Sequence, residues 1–274
     1  MPELAEIETL KNYLGNHIVG EEIQLFISRR NNLRYIIDIK SIENHANSTK
    51  IIEVRRVAKF LVIELDSSYS LVFHLGMSGK LTKQGPDYKE IKHDHIIVDF
   101  KSKNKLVFND ARRFGMVYIC KTAEMRQQKF LQNMGQEPLE DAFNAGYLSK
   151  QLSSRKAPIK NTIMDSKIVV GVGNIYAAES LFDAGIDPSR DSSTLNSEDI
   201  ERLVGSIKKI LKRAIKAGGT TLKDFVNGDN TPGYFQQELN VYDRFGQPCH
   251  ICSNLIEKIK QAGRSTYFCP NCQK

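Results

Sequence analysis

The sequence predicts an α+β protein of two domains: an amino-terminal antiparallel β-sandwich with flanking helices, and a carboxy-terminal helical bundle that ends in a small cysteine-rich module. Three observations carry this. Short β-branched, apolar runs dominate up to about residue 120, helical periodicity takes over from about residue 135, and four of the five cysteines fall in the last 26 residues. A run of strands followed by a run of helices is the pattern of segregated α+β architecture.

Leu4, Ile7, Leu10 and Leu14 recur at helical spacing and predict an amphipathic helix at the start of the chain. Strands are expected over 59–65, 69–75, 95–100, 105–108 and 115–120, separated by turn residues such as Asp66-Ser67-Ser68 and 101–104. A boundary is expected near Met134-Gly135-Gln136-Glu137-Pro138, giving domains over 1–134, 135–240 and 241–274. Beyond it, Asn174 to Ala184 reads as a helix opened by a capping-competent Asn and stopped by Gly185, and Ser197 to Lys216 reads as another. The stretch from Gly218 to Gly233 is rich in turn dipeptides and reads as a mobile loop.

Cys249 and Cys252, then Cys269 and Cys272, form two Cys-x-x-Cys pairs separated by sixteen residues. That spacing suits one tetrahedral structural zinc ion, with the intervening residues forming a hairpin between two knuckles; two disulfides are the alternative. Lys258, Lys260 and Arg264 stand between the pairs, so the hairpin presents cations and reads as a nucleic-acid-binding module. Cys120 ends an apolar run and reads as a small buried hydrophobe.

A chain of 274 residues can build about two cores. Its 39 Lys and Arg against 32 Asp and Glu give a net charge of +7, which favours polyanionic partners without deciding among them. There is no apolar run long enough to span a membrane and no secretory leader, so a cytoplasmic protein is expected, and no extended apolar face suggests anything beyond a monomer.

Removal of Met1 before a small residue would leave Pro2 with a secondary amine, a nucleophile able to form an iminium ion with an aldehyde-like carbon. Glu3 and Glu6 lie beside it, three residues apart and on one face of a helix starting here. Each also has a plainer reading, Pro2 as a helix-start signal and the glutamates as complements to a helix dipole.

Five segments occur in order: Met1 to Thr9, His74 to Gly79, Asp110 to Gly115, Val170 to Tyr176 and Ala262 to Cys272. Together they resemble, over essentially the full length, the bacterial formamidopyrimidine-DNA glycosylases, or 8-oxoguanine DNA glycosylase/AP lyases. The resemblance implies a base-excision repair enzyme whose sandwich domain, helix-two-turn-helix region and zinc finger grip damaged duplex DNA in the cleft between domains. By that resemblance Pro2 attacks C1′ of an everted nucleotide, and β- then δ-elimination cuts the strand. Glu3 is then the principal acid/base, Glu6 its support, Lys59 a phosphate contact that aids turnover, and Lys160 a further site lysine. Met77, Arg112 and Phe114 map to the set that fills the void left by the everted base, which suits a flexible apolar wedge, a base-pairing cation and an aromatic wedge. Asn174 and Arg264 map to phosphate contacts, with His74, His93, Tyr242 and Lys258 completing the expected DNA-contacting set, and the 218–233 stretch maps to the loop that closes over the everted base. The implied partner is double-stranded DNA carrying oxidised bases or abasic sites, with no nucleotide cofactor.

The chain departs from the family's usual pattern at Ala5, where proline is customary, and at Ala58, where glycine is; both read as mild changes. The rival readings are an endonuclease VIII-like glycosylase for oxidised pyrimidines, disfavoured by Leu4, Met77 and Arg112 to Phe114, and a catalytically silent zinc-dependent DNA-binding protein, disfavoured by Pro2, Glu3 and Lys59.

Overall fold

In the computed structural model the described residues are 2–220, 228 and 233–274. They divide into two compact units, residues 1–132 with 217–234 and residues 133–216 with 235–274. Most of the loop expected over 218–233, and Met1, lie outside the described residues.

The first unit opens with helix α1 (Leu4–Ile18), whose Leu4, Ile7, Leu10, Leu14 and Ile18 are buried at the predicted spacing. Two four-stranded antiparallel sheets follow. One has the order β1 (Ile23–Ser28), β6 (Asp94–Phe100), β7 (Lys105–Asn109), β5 (Lys80–Gln84); the other β2 (Ile51–Val57), β3 (Phe60–Leu65), β4 (Tyr69–His74), β8 (Met116–Lys121). The helix α2 (Ile39–Ala46) lies between β1 and β2 in sequence. Alternate residues of each strand meet in one core: Leu61, Ile63 and Leu65 with Leu71 and Phe73 from one sheet, Phe26, Ile96, Val98, Leu106 and Phe108 from the other, and the apolar stripe of α1. The Phe73 and Phe108 rings meet edge-on at 5.8 Å. This is the sandwich the sequence predicts. The strands not picked out individually, β1, β2 and β5, are those with exposed or polar alternate positions.

The second unit contains α3 (Ala145–Leu152), the short α4 (Ile159–Ile163), α5 (Asn174–Ala184), the long α6 (Ser197–Lys216) and the hairpin β9 (Glu257–Gln261) with β10 (Arg264–Phe268). Helices α5 and α6 keep their predicted bounds. Gly185 ends α5 in a left-handed conformation, φ 70°, and its N–H closes back on the Phe182 carbonyl. Among the described residues no helix is long and apolar enough to cross a membrane.

Candidate active site and nucleic-acid interface

The amino-terminal site begins with a capping box. Glu3, not Pro2, takes the N-cap of α1, so Pro2 stands two residues ahead of the first helical position and is not the helix-start proline of the plainer reading. The Glu6 carboxylate accepts the Glu3 N–H at 2.7 Å, and the Glu3 side chain accepts the Glu6 N–H in return. The other Glu6 oxygen accepts the Thr220 N–H at 2.8 Å. Pro2, Glu3 and Glu6 are all buried. Glu6 therefore ties the backbone beside Pro2 to the base of the 218–233 stretch, and a Cβ on Gly219, whose φ is 83°, would sit 3.2 Å from its side chain.

Lys59 occupies the turn between β2 and β3, directly before the Phe60–His74 pair of β3 and β4. Arg56 connects this turn to α1, ion-paired with Glu8 at 2.6 Å while donating to the Ala58 carbonyl at 2.9 Å. Burial alone would raise the Glu8 carboxyl, but hydrogen bonds from Lys11 and Arg56 outweigh it and hold it below its ordinary value. Ala58 itself has φ 54° and is buried. The substitution read as mild thus sits where an L side chain is strained.

His74 marks the end of β4. Burial first, then the charges of Lys59 and Arg34, push it down to about 4, so at neutral pH it is an uncharged imidazole. Its Nδ1 accepts the Gly76 N–H at 3.1 Å, which leaves Nε2 to carry the proton and donate. Arg34 has no signal in the sequence; its N–H donates to the Gly115 carbonyl at 3.1 Å, and that contact brings its loop here.

Met77, Arg112 and Phe114 are exposed at the tips of two turns, β4 to β5 and β7 to β8. The Arg112 guanidinium lies over the Phe114 ring, 5.0 Å from its centre. Gly76 has φ 63°, and a Cβ there would fall 2.4 Å from the Phe114 carbonyl carbon, so the two turns touch backbone to backbone. His93, at φ 77°, lies just before β6, with its ring 6.0 Å from that of His95.

In the second unit the expected cap is corrected. Gly173 holds the N-cap of α5 and Asn174 is its first helical residue, because the Asn174 side chain is engaged elsewhere. It accepts from the Lys160 ammonium at 2.5 Å and donates to the Ser265 carbonyl at 3.0 Å. Lys160 is fully buried and also donates to Thr266 Oγ1 at 2.7 Å. A buried ammonium held by several oxygens fixes those oxygens in turn. Lys160 and Asn174 thereby pin the start of β10, next to Arg264. Arg264 is exposed after the Ala262-Gly263 turn, whose two positive φ angles of 45° and 76° suit the twist of a tight hairpin. The Lys258 ammonium stands 5.6 Å above the Tyr267 ring, and Tyr242 meets that ring edge-on at 5.1 Å. Glu179, unnoticed in the sequence, is fully buried and accepts the N–H groups of Asn240, Val241 and Tyr242 at 2.9 Å each, which fixes Tyr242. Its signal was a lone carboxylate inside the apolar stretch 175–182.

The four sulfurs of Cys249, Cys252, Cys269 and Cys272 lie within 4.8 Å of one another. Two of their separations are 3.4 and 3.9 Å, bracketing the roughly 3.8 Å that a tetrahedron of 2.3 Å zinc–sulfur bonds requires. All are free thiols, too far apart for disulfide bonds. These cysteines fit one structural zinc ion.

Residues 1–117 match the formamidopyrimidine-DNA glycosylase N-terminal domain, 134–226 the H2TH domain of the same enzymes, and 246–274 the zinc finger found in FPG and IleRS. The formamidopyrimidine-DNA glycosylase of Rickettsia bellii is 50% identical over 274 residues, covering 100% of both chains. The chain belongs to the formamidopyrimidine-DNA glycosylase family. Its fold is the Fpg fold: a Lactococcus lactis FPG mutant in complex with Fapy-dG-containing DNA superposes with a TM-score of 0.93 at 31% identity, covering 100% of each chain. The Thermus thermophilus Fpg superposes at 0.89 with 34% identity, covering 99% of this chain and 98% of that one. The amino-terminal capping box and the paired turns both fall in the matched N-terminal domain, the Lys160–Asn174 contact in the H2TH domain and the four-cysteine cluster in the zinc finger.

Proposed function

We propose that the chain is a bifunctional DNA glycosylase/AP lyase of base excision repair that removes oxidised purines, 8-oxoguanine and formamidopyrimidines, from double-stranded DNA. The observation that carries the reading is the capping box, which holds the buried Glu3 and Glu6 beside Pro2 in a member of this family. After Met1 is removed, the Pro2 amine adds to C1′ as the bond to the damaged base breaks, and Glu3 gives a proton to the opening sugar ring. The resulting iminium acidifies C2′. Loss of that proton expels the 3′ phosphate, and a second elimination expels the 5′ phosphate. Enclosure matters here because an iminium reached by bulk water hydrolyses.

Binding rests on the cations and donors described above. Lys59 and the Nε2–H of His74 are one phosphate-facing pair, with His93 and the exposed Arg112 on the same unit. Asn174, at the amino-terminal end of α5, and Arg264, Lys258 and Tyr242 on and beside the zinc hairpin are the other set. Lys160, buried behind Asn174, acts through Asn174 by orienting its amide, with the remaining amide hydrogen turned toward a phosphate. Met77, Arg112 and Phe114 fill the gap left by the everted base. In this reading residues 1–134 form the catalytic domain, 135–240 the helix-two-turn-helix domain with a lesion-covering loop near 218–233, and 241–274 the zinc finger. The enzyme acts as a monomer in the bacterial cytoplasm, and sedimentation at micromolar concentration tests the monomer.

The deciding experiment is borohydride trapping on a duplex with one 8-oxoguanine opposite cytosine, followed by mass spectrometry of the cross-linked peptide. The expected result is an adduct on an amino-terminal Pro2 with Met1 absent. Tight binding of that duplex with no adduct, there or on oxidised-pyrimidine duplexes, overturns the reading in favour of a silent DNA-binding protein.

A further inference from the structure

The three void-filling residues sit on two separate turns, yet they must enter the duplex together, and a buried pair joins the turns. Asp110 is fully buried. One of its carboxylate oxygens accepts the Ser78 hydroxyl at 2.7 Å and the other accepts the Gly115 N–H at 2.7 Å. The Ser78 oxygen in turn accepts the Arg112 N–H at 3.3 Å. Ser78 follows Met77, and Gly115 follows Phe114. The backbone of Asp110 is equally committed, its N–H to the His93 carbonyl at 3.1 Å and its carbonyl to His95 Nε2 at 3.0 Å. Flanking it, His93 and Arg113 are held at φ 77° and 57°, conformations that persist only where surrounding contacts over-determine them.

We propose that Asp110 and Ser78 are positioning residues that lock Met77, Arg112 and Phe114 into one wedge, so that the two turns insert into the base stack as a single body. The inference rests on the glycosylase reading above. Asp110 and Ser78 are both buried, and their polar atoms are spent on the turns themselves. A wedge has to hold its place against a stack that resists opening, and three side chains on independently moving turns would each yield separately. The carboxylate suits this role because it accepts from a hydroxyl on one turn and a backbone N–H on the other, which no neutral side chain of its length does with two acceptors.

The test compares substrates that do and do not need a wedge. In Ser78→Ala and Asp110→Ala, single-turnover excision of 8-oxoguanine from a duplex is expected to fall about tenfold and about a hundredfold, the scale of a displacement of roughly 1 Å. Borohydride trapping and strand cleavage at an abasic site in single-stranded DNA, where no stack is opened, are expected to stay within about twofold of wild type. A 2-aminopurine beside the lesion should brighten when the wild type binds and stay dark with both variants. Equal losses on the two substrates overturn the proposal, since they mark a general folding defect, and so does full duplex activity with the fluorescence rise intact. If Asp110→Ala does not fold, Ser78→Ala, which removes one hydroxyl, decides alone. A wild type that traps on neither substrate overturns the glycosylase reading and this inference with it, whereas an active wild type with unaffected variants overturns only the inference.

Discussion

The groups at the amino-terminal end and the groups on the last hairpin are held by different means. Pro2, Glu3 and Glu6 stand at the start of a helix whose apolar stripe enters a core of twenty-five described buried residues that takes in both sheets. Arg264 and Lys258 ride on two five-residue strands. The buried cluster beneath them has seven described residues, of which Cys249 and Cys269 are two, with Cys252 and Cys272 packed at its edge. A core of that size cannot hold a hairpin rigid, and a metal does so instead. The first region should therefore respond to substitutions through chemistry, and the second through folding.

The largest effect expected is chemical. Glu3→Gln keeps a side-chain acceptor for the capping box and removes the acid, so excision of 8-oxoguanine should fall by about 10³-fold, the usual scale of general acid catalysis. The melting temperature and zinc content should be unchanged. If instead the protein lost its cooperative melt, the amino-terminal helix would depend on Glu3 for folding, and the contrast between the regions would fail.

Zinc removal is the mirror experiment. Cys272→Ala, or stripping by a strong chelator, should release the hairpin and with it Lys258, Lys260 and Arg264. Three lost phosphate contacts would lower the salt slope of duplex binding by about 2.7 and weaken binding at 0.1 M salt by on the order of 10²-fold. The β-sheet signal in circular dichroism should persist, because the sandwich shares no residue with the finger's cluster. An unchanged salt slope in the stripped protein would show that the hairpin makes no phosphate contacts.

The contrast also governs what could be read from the sequence. Helix α1 was legible from its apolar period, α5 from its Asn start and Gly185 stop, most strands as β-branched apolar runs between turn residues, and the four cysteines because metal geometry dictates spacing. Strand β5 was not, since only Leu81 and Thr82 of its five residues are buried. Nor were Asp110 and Glu179: a charged side chain reads as surface until the turns or backbone N–H groups that surround it have been placed. Asn174 was expected to cap its helix on local grounds, and a contact with Lys160, fourteen residues earlier, redirected it. The role of the 218–233 stretch stayed with the family resemblance.

The amino-terminal region can be sharpened by pH. His74 titrates at about 4 in the folded protein and near 6.5 in the unfolded chain. Because the folded value is the lower one, the unfolded chain takes up the proton first as pH falls, and stability is lost from about pH 6.5 downward to about pH 4. Between pH 7.5 and 5 the contribution is about 2 kcal/mol. Chemical denaturation of the wild type and His74→Gln at both pH values isolates it, since the remaining titratable groups are common to both proteins. A difference below about half a kcal/mol would mean that His74 is not shielded by burial and held down by Lys59 and Arg34.

The smallest effect concerns the turn that carries Lys59, where backbone strain and catalysis can be separated. Ala58 sits at φ 54° with its side chain buried, a conformation that costs an L residue about 1 to 2 kcal/mol and glycine nothing. Glycine gives back part of this through the greater freedom of its unfolded chain. Ala58→Gly should therefore stabilise the protein by about 1 kcal/mol, read as a shift of the denaturation midpoint at constant m-value. The Arg56 contact to the residue 58 carbonyl involves only backbone on that side, so it survives the change and Lys59 stays in register with His74. Excision should accordingly remain within about twofold of wild type. A gain in stability accompanied by a large fall in rate would show that the methyl group, and not the conformation alone, sets the position of Lys59; that result would make the departure from glycine functional where its strain alone makes it merely costly.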